Sequence, residues 1–262
     1  MGMFAGQRIV VTGAASGIGA ATAAAFTAAG AEVIGIDRNP AEDFSGEFIQ
    51  ADLSSPQGVA DAAAQVSGTI HGLANIAGVP GTAPFELVLA VNVFGLRELT
   101  KALLPRIADG GFVTNLASSV AAGWAERRSQ LFAFVSAADW DGALAGVHQD
   151  AEVTGNSYRF SKEAVRLLTE LQASENLGRV RVNSVSPGPV ETPILADFKK
   201  DHGVDKVEGA VTLLGRAASA RDIANVIMFL ASPQAGWVNG TDIRVDGGLA
   251  AHRGSAQLQP AG

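Results

Sequence analysis

Tyr158 is the single tyrosine among 262 residues, and Lys162 follows it in the run Ser157-Tyr158-Arg159-Phe160-Ser161-Lys162. On a helix, a spacing of four stacks the phenol and the ammonium on one face. A free phenol, with a pKa of about 10, is a poor base at neutral pH. A fixed ammonium beside it favours the phenolate and lowers that pKa, so the pair can take or return the proton of an alcohol. The same spacing also arises by chance, as an aromatic beside a solvated lysine, so the pair gains meaning only from its company.

The second group able to do chemistry is the turn Thr12-Gly13-Ala14-Ala15-Ser16-Gly17-Ile18-Gly19. Glycines placed between a strand and a helix let a pyrophosphate approach backbone N–H groups at the helix start. Asp37 stands 18 residues beyond Gly19. A carboxylate at the end of the next strand can accept from both ribose hydroxyls of NAD and repels the 2′-phosphate of NADP. Arg38 beside it acts in the opposite sense, because a guanidinium can neutralise that phosphate. The balance of the two favours NAD, and a plain strand-end turn remains the alternative role for Asp37.

The elements that must hold these groups read as alternating β and α. Arg8-Ile9-Val10-Val11-Thr12 is a buried strand, and Gly17 to Ala29 a helix ended by Gly30. Further strands are expected at Glu32 to Asp37, Phe48 to Gln50, Gly72 to Ile76, Gly111 to Leu116, Arg179 to Ser186 and Asp242 to Val245. Helices are expected from about Phe85 to Ala108 and from Ala220 to Ala231. Repeated strand–helix–strand units imply right-handed crossovers and a mostly parallel sheet covered on both faces. The expected fold class is therefore α/β: a single-domain, Rossmann-type doubly wound parallel sheet of about seven strands over residues 1–262.

Composition narrows the function classes. The chain is 47% hydrophobic and only 17% charged, which suits a large core and argues against disorder. A net charge of −7 without a basic stripe argues against a nucleic-acid partner. With no cysteine there is no disulfide or thiolate nucleophile, and the four scattered histidines have no metal-ligand spacing, so no metal is expected. No apolar run approaches the 18 residues of a membrane span, and Met1 to Gly6 does not read as a signal peptide, so a cytoplasmic location is expected.

Taken together, these segments resemble the classical short-chain dehydrogenases/reductases over nearly the whole chain. Thr12 to Gly19 is similar to the family's TGxxxGxG turn, Asn75-Ile76-Ala77-Gly78 to its NxAG segment, and Tyr158 with Lys162 to YxxxK. Asn92 in Val91-Asn92-Val93, Ser118 in Asn115-Leu116-Ala117-Ser118-Ser119, the pair Asp52-Leu53 and the stretch Pro187-Gly188-Pro189-Val190-Glu191-Thr192 complete the likeness. The resemblance implies a catalytic tetrad of Asn92, Ser118, Tyr158 and Lys162. Tyr158 would move the alcohol proton. Lys162 would depress its pKa and bind the nicotinamide ribose. Ser118 would steady the substrate oxygen, with Ser119 as a rival for that role, and Asn92 would hold a relay water. The cofactor, expected to be NAD, would be bound by Gly13, Ser16, Gly17, Ile18, Gly19, Asp37, Arg38, Asp52, Leu53, Asn75, Ala77, Gly78, Tyr158, Lys162, Pro187, Gly188, Val190 and Thr192. Family practice further implies a homodimer or homotetramer.

Ser118 and Tyr158 are 40 positions apart, far more than the dozen usual in the family. An insertion is expected at about 123–154, carrying Trp124, Phe132, Phe134 and Trp140. These aromatics either wall the substrate pocket or pack the insertion onto the body or a partner subunit. A substrate lid is expected at about 189–212, with Ile194, Leu195, Phe198 and Val204 as apolar anchors beneath a charged outer face. An amphipathic surface helix is the alternative there. Residues 250–262 read as a flexible tail. The cofactor and floor segments resemble most the coniferyl-alcohol and 3α-hydroxysteroid branches of the family. The expected substrate is thus a small-molecule alcohol/carbonyl pair, an aromatic alcohol first and an alicyclic or 3α-hydroxysteroid alcohol second. A non-catalytic NAD-binding sensor is the remote third reading.

Overall fold

The computed structural model describes residues 2–256, apart from the side chains of Phe198, His202 and Ala256. Strand β1 (Arg8–Thr12) feeds α1 (Gly17–Ala28), followed by β2 (Glu32–Asp37), β3 (Glu47–Gln50), α2 (Pro56–Gln65) and β4 (Ile70–Asn75). The next helical stretch is built of α3 (Phe85–Leu89), a π-helical segment Ala90–Gly95, α4 (Leu96–Leu103) and a 3₁₀ turn Leu104–Arg106. Then come β5 (Ile107–Leu116), a 3₁₀ stretch Ser119–Arg127, and helices α5 (Arg128–Val135), α6 (Trp140–Val147), α7 (Ala151–Gly155) and α8 (Ser157–Glu175). The chain continues through β6 (Arg181–Pro187), β7 (Val190–Glu191), α9 (Leu195–His202), α10 (Val204–Leu214) and β8 (Ala218–Ser219). It closes with α11 (Ala220–Ala231), β9 (Asp242–Val245) and α12 (Leu249–Ala256).

Seven strands form one parallel sheet in the order β3-β2-β1-β4-β5-β6-β9, as the alternation of strands and helices implies. Both faces are buried, which is why β1 and β2 read as unbroken apolar runs. One face carries α1 and α11, with Phe4, Phe26 and Phe112 packed ring to ring beneath them. The other carries α2, α4 and α8 over a larger core that includes Phe94, Phe134, Trp140 and Phe160. Strand order reverses between β1 and β4, so the chain diverges to opposite sides there and leaves a crevice at the strands' carboxyl ends.

Three expectations are corrected. The helix read from Phe85 to Ala108 stops at Arg106, and β5 begins at Ile107, four residues before the expected start. Helix α2, absent from the sequence reading, forms between Ser55, whose hydroxyl accepts from Gly58 N, and a buried Val59/Ala62/Ala63 stripe. The stretch after Leu249 is helical as far as Ala256, capped by Asp246 accepting from Gly248 N and Ala250 N at 3.0 and 2.9 Å. Residues 257–262 of that expected tail lie outside the described residues.

Candidate active site

The crevice is a cleft of about 640 Å³ whose two ends are built by different means. At one end, Thr12 closes β1 with a hydroxyl that accepts from Ile76 N and Ala77 N at 2.9 and 3.0 Å, tying the first turn to the segment after β4. Gly13 follows at φ +70°, and a Cβ there would sit 2.9 Å from Ala77 N. Gly19 has no room either: a Cβ would lie 1.9 Å from Gly13 O. The turn is thus as close to its neighbours as backbone allows. Helix α1 then starts at Gly17 with no side-chain cap from Ser16 and no acidic residue in its first turn. Its first N–H groups and positive dipole end are left for an anion. Asp37 supports the turn, accepting from Ala15 N at 3.0 Å and Asn39 N at 2.9 Å. Each carboxylate oxygen keeps a lone pair for a further donor. The donor-rich turn and the carboxylate that follows it fit a dinucleotide.

At the other end, α8 brings Tyr158 and Lys162 to the cleft on one helix face, both almost fully buried. Asn156 caps that helix by accepting from Arg159 N at 3.2 Å. Lys162 Nζ donates to Leu116 O at the end of β5 (2.8 Å) and lies 5.6 Å from the Tyr158 ring centre. Ser118, two residues past β5, hydrogen-bonds the Tyr158 hydroxyl. Asn92 sits in the π-helical segment, a form that re-aims side chains and recurs at functional sites. Its amide accepts from Val79 N at 2.8 Å and donates to Val79 O and Ser161 Oγ, both at 3.1 Å. Ser161 in turn donates to Tyr158 O at 2.7 Å.

The electrostatics correct one expectation. Lys162 does not depress the phenol in the free protein. Burial, the largest influence, pushes the Tyr158 pKa up; the Ser118 hydrogen bond pulls it down, and the Asp201 carboxylate pushes it up again. Burial likewise lowers Lys162 from 10.5 to about 8. The cause is shared: removal from water disfavours phenolate and ammonium alike, and the bonds to Ser118 and Leu116 O return only part of what hydration supplied.

Of the catalytic and cofactor residues expected from the sequence, all but two line this cleft. Asn92 lies just beneath it, under Val79. Asn75 belongs to a buried polar chain instead, donating to Thr100 Oγ1 (2.8 Å) and Asn115 Oδ1 (2.9 Å), while Asn115 Nδ2 donates to Thr169 Oγ1 and Gln172 Oε1. That chain pins β4, β5 and α8 together and so fixes the floor on which Tyr158 stands. Sequence reasoning missed Asn156, Arg159, Asp201, Lys206, Leu249 and Arg253, which also line the cleft. Leu249 and Arg253 are four apart, a helical spacing, but Arg253 falls in the stretch that reads as the tail.

The lid segment does border the cleft, through Ile194, Leu195, Val207 and Ala210. Its expected polarity is only half right. Val204 faces solvent, whereas the charged Asp201 and Lys206 border the cleft. A Cβ on Gly81 would lie 2.3 Å from Asp201 Oδ2, so the lid carboxylate rests where that glycine leaves space. The insertion aromatics, by contrast, do not wall the pocket. Phe134 and Trp140 stack around Phe94 at 4.9 and 5.4 Å, Phe134 meets Phe160 at 5.1 Å, and Phe132 is exposed. Trp124 lies between the guanidinium groups of Arg128 and Arg166, at 5.1 and 5.3 Å. The insertion is part of the body.

Residues 7–129 match the short chain dehydrogenase family, and residues 144–250 match the family described as Enoyl-(Acyl carrier protein) reductase. Coniferyl-alcohol dehydrogenase of Pseudomonas sp. (strain HR199 / DSM 7063) is 42% identical over 93% of this chain and 96% of its own length. The chain belongs to the short-chain dehydrogenase/reductase family. This oxidoreductase is also similar to 3-alpha-hydroxysteroid dehydrogenase/carbonyl reductase of Comamonas testosteroni, 35% identical over 92% of the chain and 95% of that protein. Among solved structures, 3-alpha-hydroxysteroid dehydrogenase from Pseudomonas sp. B-0831, complexed with NADH, superposes with a TM-score of 0.83. It is 37% identical and covers 95% of this short-chain dehydrogenase and 99% of itself. A nicotinamide dinucleotide is thus the cofactor class of this short-chain dehydrogenase, and a small molecule its substrate. Among its described residues no helix is long and apolar enough to cross a membrane.

Proposed function

We propose that this protein is an NAD-dependent alcohol dehydrogenase that interconverts an aromatic alcohol and its aldehyde or ketone. The observation that carries the reading is the joining of two hydroxyls, Tyr158 and Ser118, beside the buried Lys162, in the same cleft as the open start of α1. Gly13, Ser16, Gly17, Ile18, Gly19, Asp52, Leu53, Ala77, Gly78, Pro187, Gly188, Val190 and Thr192 would hold the dinucleotide, and Asp37 its adenosine ribose. When bound, the dinucleotide supplies the hydride acceptor or donor and, oxidised, a positive ring that favours the phenolate. Tyr158 Oη takes the hydroxyl proton in oxidation and returns it in reduction. Ser118 Oγ donates to the substrate oxygen as charge develops there. Lys162 relays the proton outward and orients the ribose, and Asn92 fixes the Val79 backbone and Ser161 beneath them.

The aromatic alcohol is supported by the coniferyl-alcohol dehydrogenase relative and by apolar cleft residues such as Val91, Val120, Leu195 and Val207. The 3α-hydroxysteroid reading is kept as second because a solved 3-alpha-hydroxysteroid dehydrogenase superposes closely. NAD over NADP rests on Asp37, against which Arg38 pulls; Asp37→Ala is expected to shift the NAD/NADP ratio of kcat/KM by about tenfold or more toward NADP, the worth of one or two charge-assisted hydrogen bonds. An unchanged ratio assigns selectivity elsewhere. A spectrophotometric screen for NADH formation with aryl alcohols and hydroxysteroids tests the whole. Tyr158→Phe is expected to lower turnover by about 10²–10⁴-fold with cofactor affinity held. Wild-type rates in that variant remove Tyr158 from the chemistry. Assembly as a homodimer or homotetramer of single-domain chains belongs to the same reading.

A further inference from the structure

Immediately after the catalytic lysine, Glu163 is buried on α8 with its side chain only 2% exposed. Its Oε2 lies 3.1 Å from Arg127 Nε of the insertion, and its Oε1 lies 3.8 Å from Arg159 Nε, one turn earlier on α8. Arg127 is held from its far side by Glu152, at 3.2 Å. A buried carboxylate is costly to keep, and hydrophobic contact would dock the insertion without it. Glu163 also attracts the side chain of Arg159, a residue that borders the cleft next to Tyr158. Among the described residues no acceptor takes a hydrogen bond from the Arg159 terminal nitrogens. Lys206 and Arg253 also border the cleft, and among the described residues neither has an ionic partner.

Besides Asp37 and Asp52, which belong to the expected cofactor residues, the one acid among the cleft residues is Asp201, seated against Gly81. Arg159, Lys206 and Arg253 border the cleft of a chain whose net charge is −7, so these cations are not a reflection of the whole sequence. An arginine presents a planar fork of donors that fits a carboxylate in two parallel bonds.

We propose that Arg159, positioned by Glu163 through the Arg127 clasp, is a specificity-determining residue that reads an anionic group, a carboxylate, on the substrate at a distance from the reacting hydroxyl. This deepens the aromatic-alcohol reading and rests on it: the substrate class becomes an aryl-alkyl alcohol bearing a carboxylate. Lys206 and Arg253 add to the field that favours an anion, and Asp201 is the one nearby charge that opposes it.

The test compares an aryl alcohol carrying a ring carboxylate with its neutral methyl ester. In the wild type the acid is expected to exceed the ester in kcat/KM by about tenfold or more, with a ratio that falls as salt rises. Arg159→Gln is expected to bring the ratio near one, chiefly through KM, and Arg159→Lys to restore part of it. Glu163→Gln is expected to give an intermediate ratio by loosening Arg159. Arg159 is partly exposed, so its variants test the idea even where Glu163→Gln folds poorly. A wild-type ratio near one, or a ratio unchanged in Arg159→Gln, overturns the proposal. Oxidation of the ester without preference for the acid sinks this inference and leaves the dehydrogenase standing. If neither is oxidised, the aromatic-alcohol reading falls. Calorimetric titration of the aryl carboxylate then decides the role of Arg159: binding weakened about tenfold in Arg159→Gln upholds it, and equal binding overturns it.

Discussion

Helix α8 separates two kinds of burial. Its outer stripe, from Arg159 through Glu163 and Arg166 to Glu170, receives the insertion, where Arg127 and Arg128 pair with Glu163 and Glu170 and an aromatic cluster fills the space beneath. Its inner face presents Tyr158 and Lys162 to the cleft, more deeply buried than Arg159, Arg166 or Glu170, and there burial works against the charge of each. The aromatic cluster beneath the outer stripe gains from leaving water, whereas the charged forms of Glu163, Tyr158 and Lys162 lose by it. Their different tasks account for this. The outer contact has only to persist, whereas the inner one must hold two groups whose protons are easily shifted once a charge is brought near them.

The sharpest way to break this comparison is on the insertion side. Trp140 stacks on Phe94 at 5.4 Å and is almost fully buried. Trp140→Ala is expected to cost about 3–5 kcal/mol of stability, read from the denaturant midpoint, as large-to-small core changes do. The folded fraction should keep kcat/KM within about twofold, since this ring does not border the cleft. A loss of activity out of step with unfolding would return the insertion to the substrate wall.

The cleft side should respond in the opposite sense. Lys162→Met removes a group whose pKa falls from 10.5 when unfolded to about 8 when folded. Below both values the folded state carries the full desolvation penalty, on the order of 3 kcal/mol. Between about pH 8 and pH 10.5 the unfolded chain binds more protons, so wild-type stability rises with pH and the penalty fades. The variant is therefore expected to be inactive yet more stable at pH 7, by about 3 kcal/mol less roughly 1 for the lost bond to Leu116 O. The gap to wild type should narrow toward pH 10. A variant less stable than wild type at both pH values would show that this lysine is held at no cost.

How far the sequence foretold this arrangement depends on where each signal was written. The glycine turn, YxxxK and the parallel sheet could be read because each needs particular residues at fixed spacing, and Gly13 and Gly19 have no alternative where a Cβ would meet backbone. The insertion was located but its direction was not. Trp140, Ala143 and Val147 do form a stripe at helical spacing behind the Asp139 cap, yet in a helix of eight residues that stripe is too short to say which wall it faces. The direction of the Tyr158 shift was misjudged because spacing reports the nearness of Lys162 and is silent on desolvation. Asn75 was assigned to the cofactor because its motif borders the turn; its partners Thr100 and Asn115 are distant in sequence, and only the sheet register brings them together.

The segment read as a lid, helices α9 and α10, borders the same cleft. Helices α9 and α10 pack mainly on each other, and the lid's buried apolar side chains, such as Val207, meet the cleft and not the core. Val207→Ala is expected to cost less than about 1 kcal/mol of stability, because little of the body leans on it. Its effect belongs in substrate affinity: removing two methyl groups from an apolar wall should raise KM for an aryl alcohol by about tenfold with kcat little changed. Steady-state kinetics and a melting curve on the same preparation measure both. A large fall in Tm with KM unmoved would place α10 with the insertion, as part of the scaffold. The expected pattern, intact stability with weakened binding, would put substrate discrimination in the segment that the rest of the fold holds least.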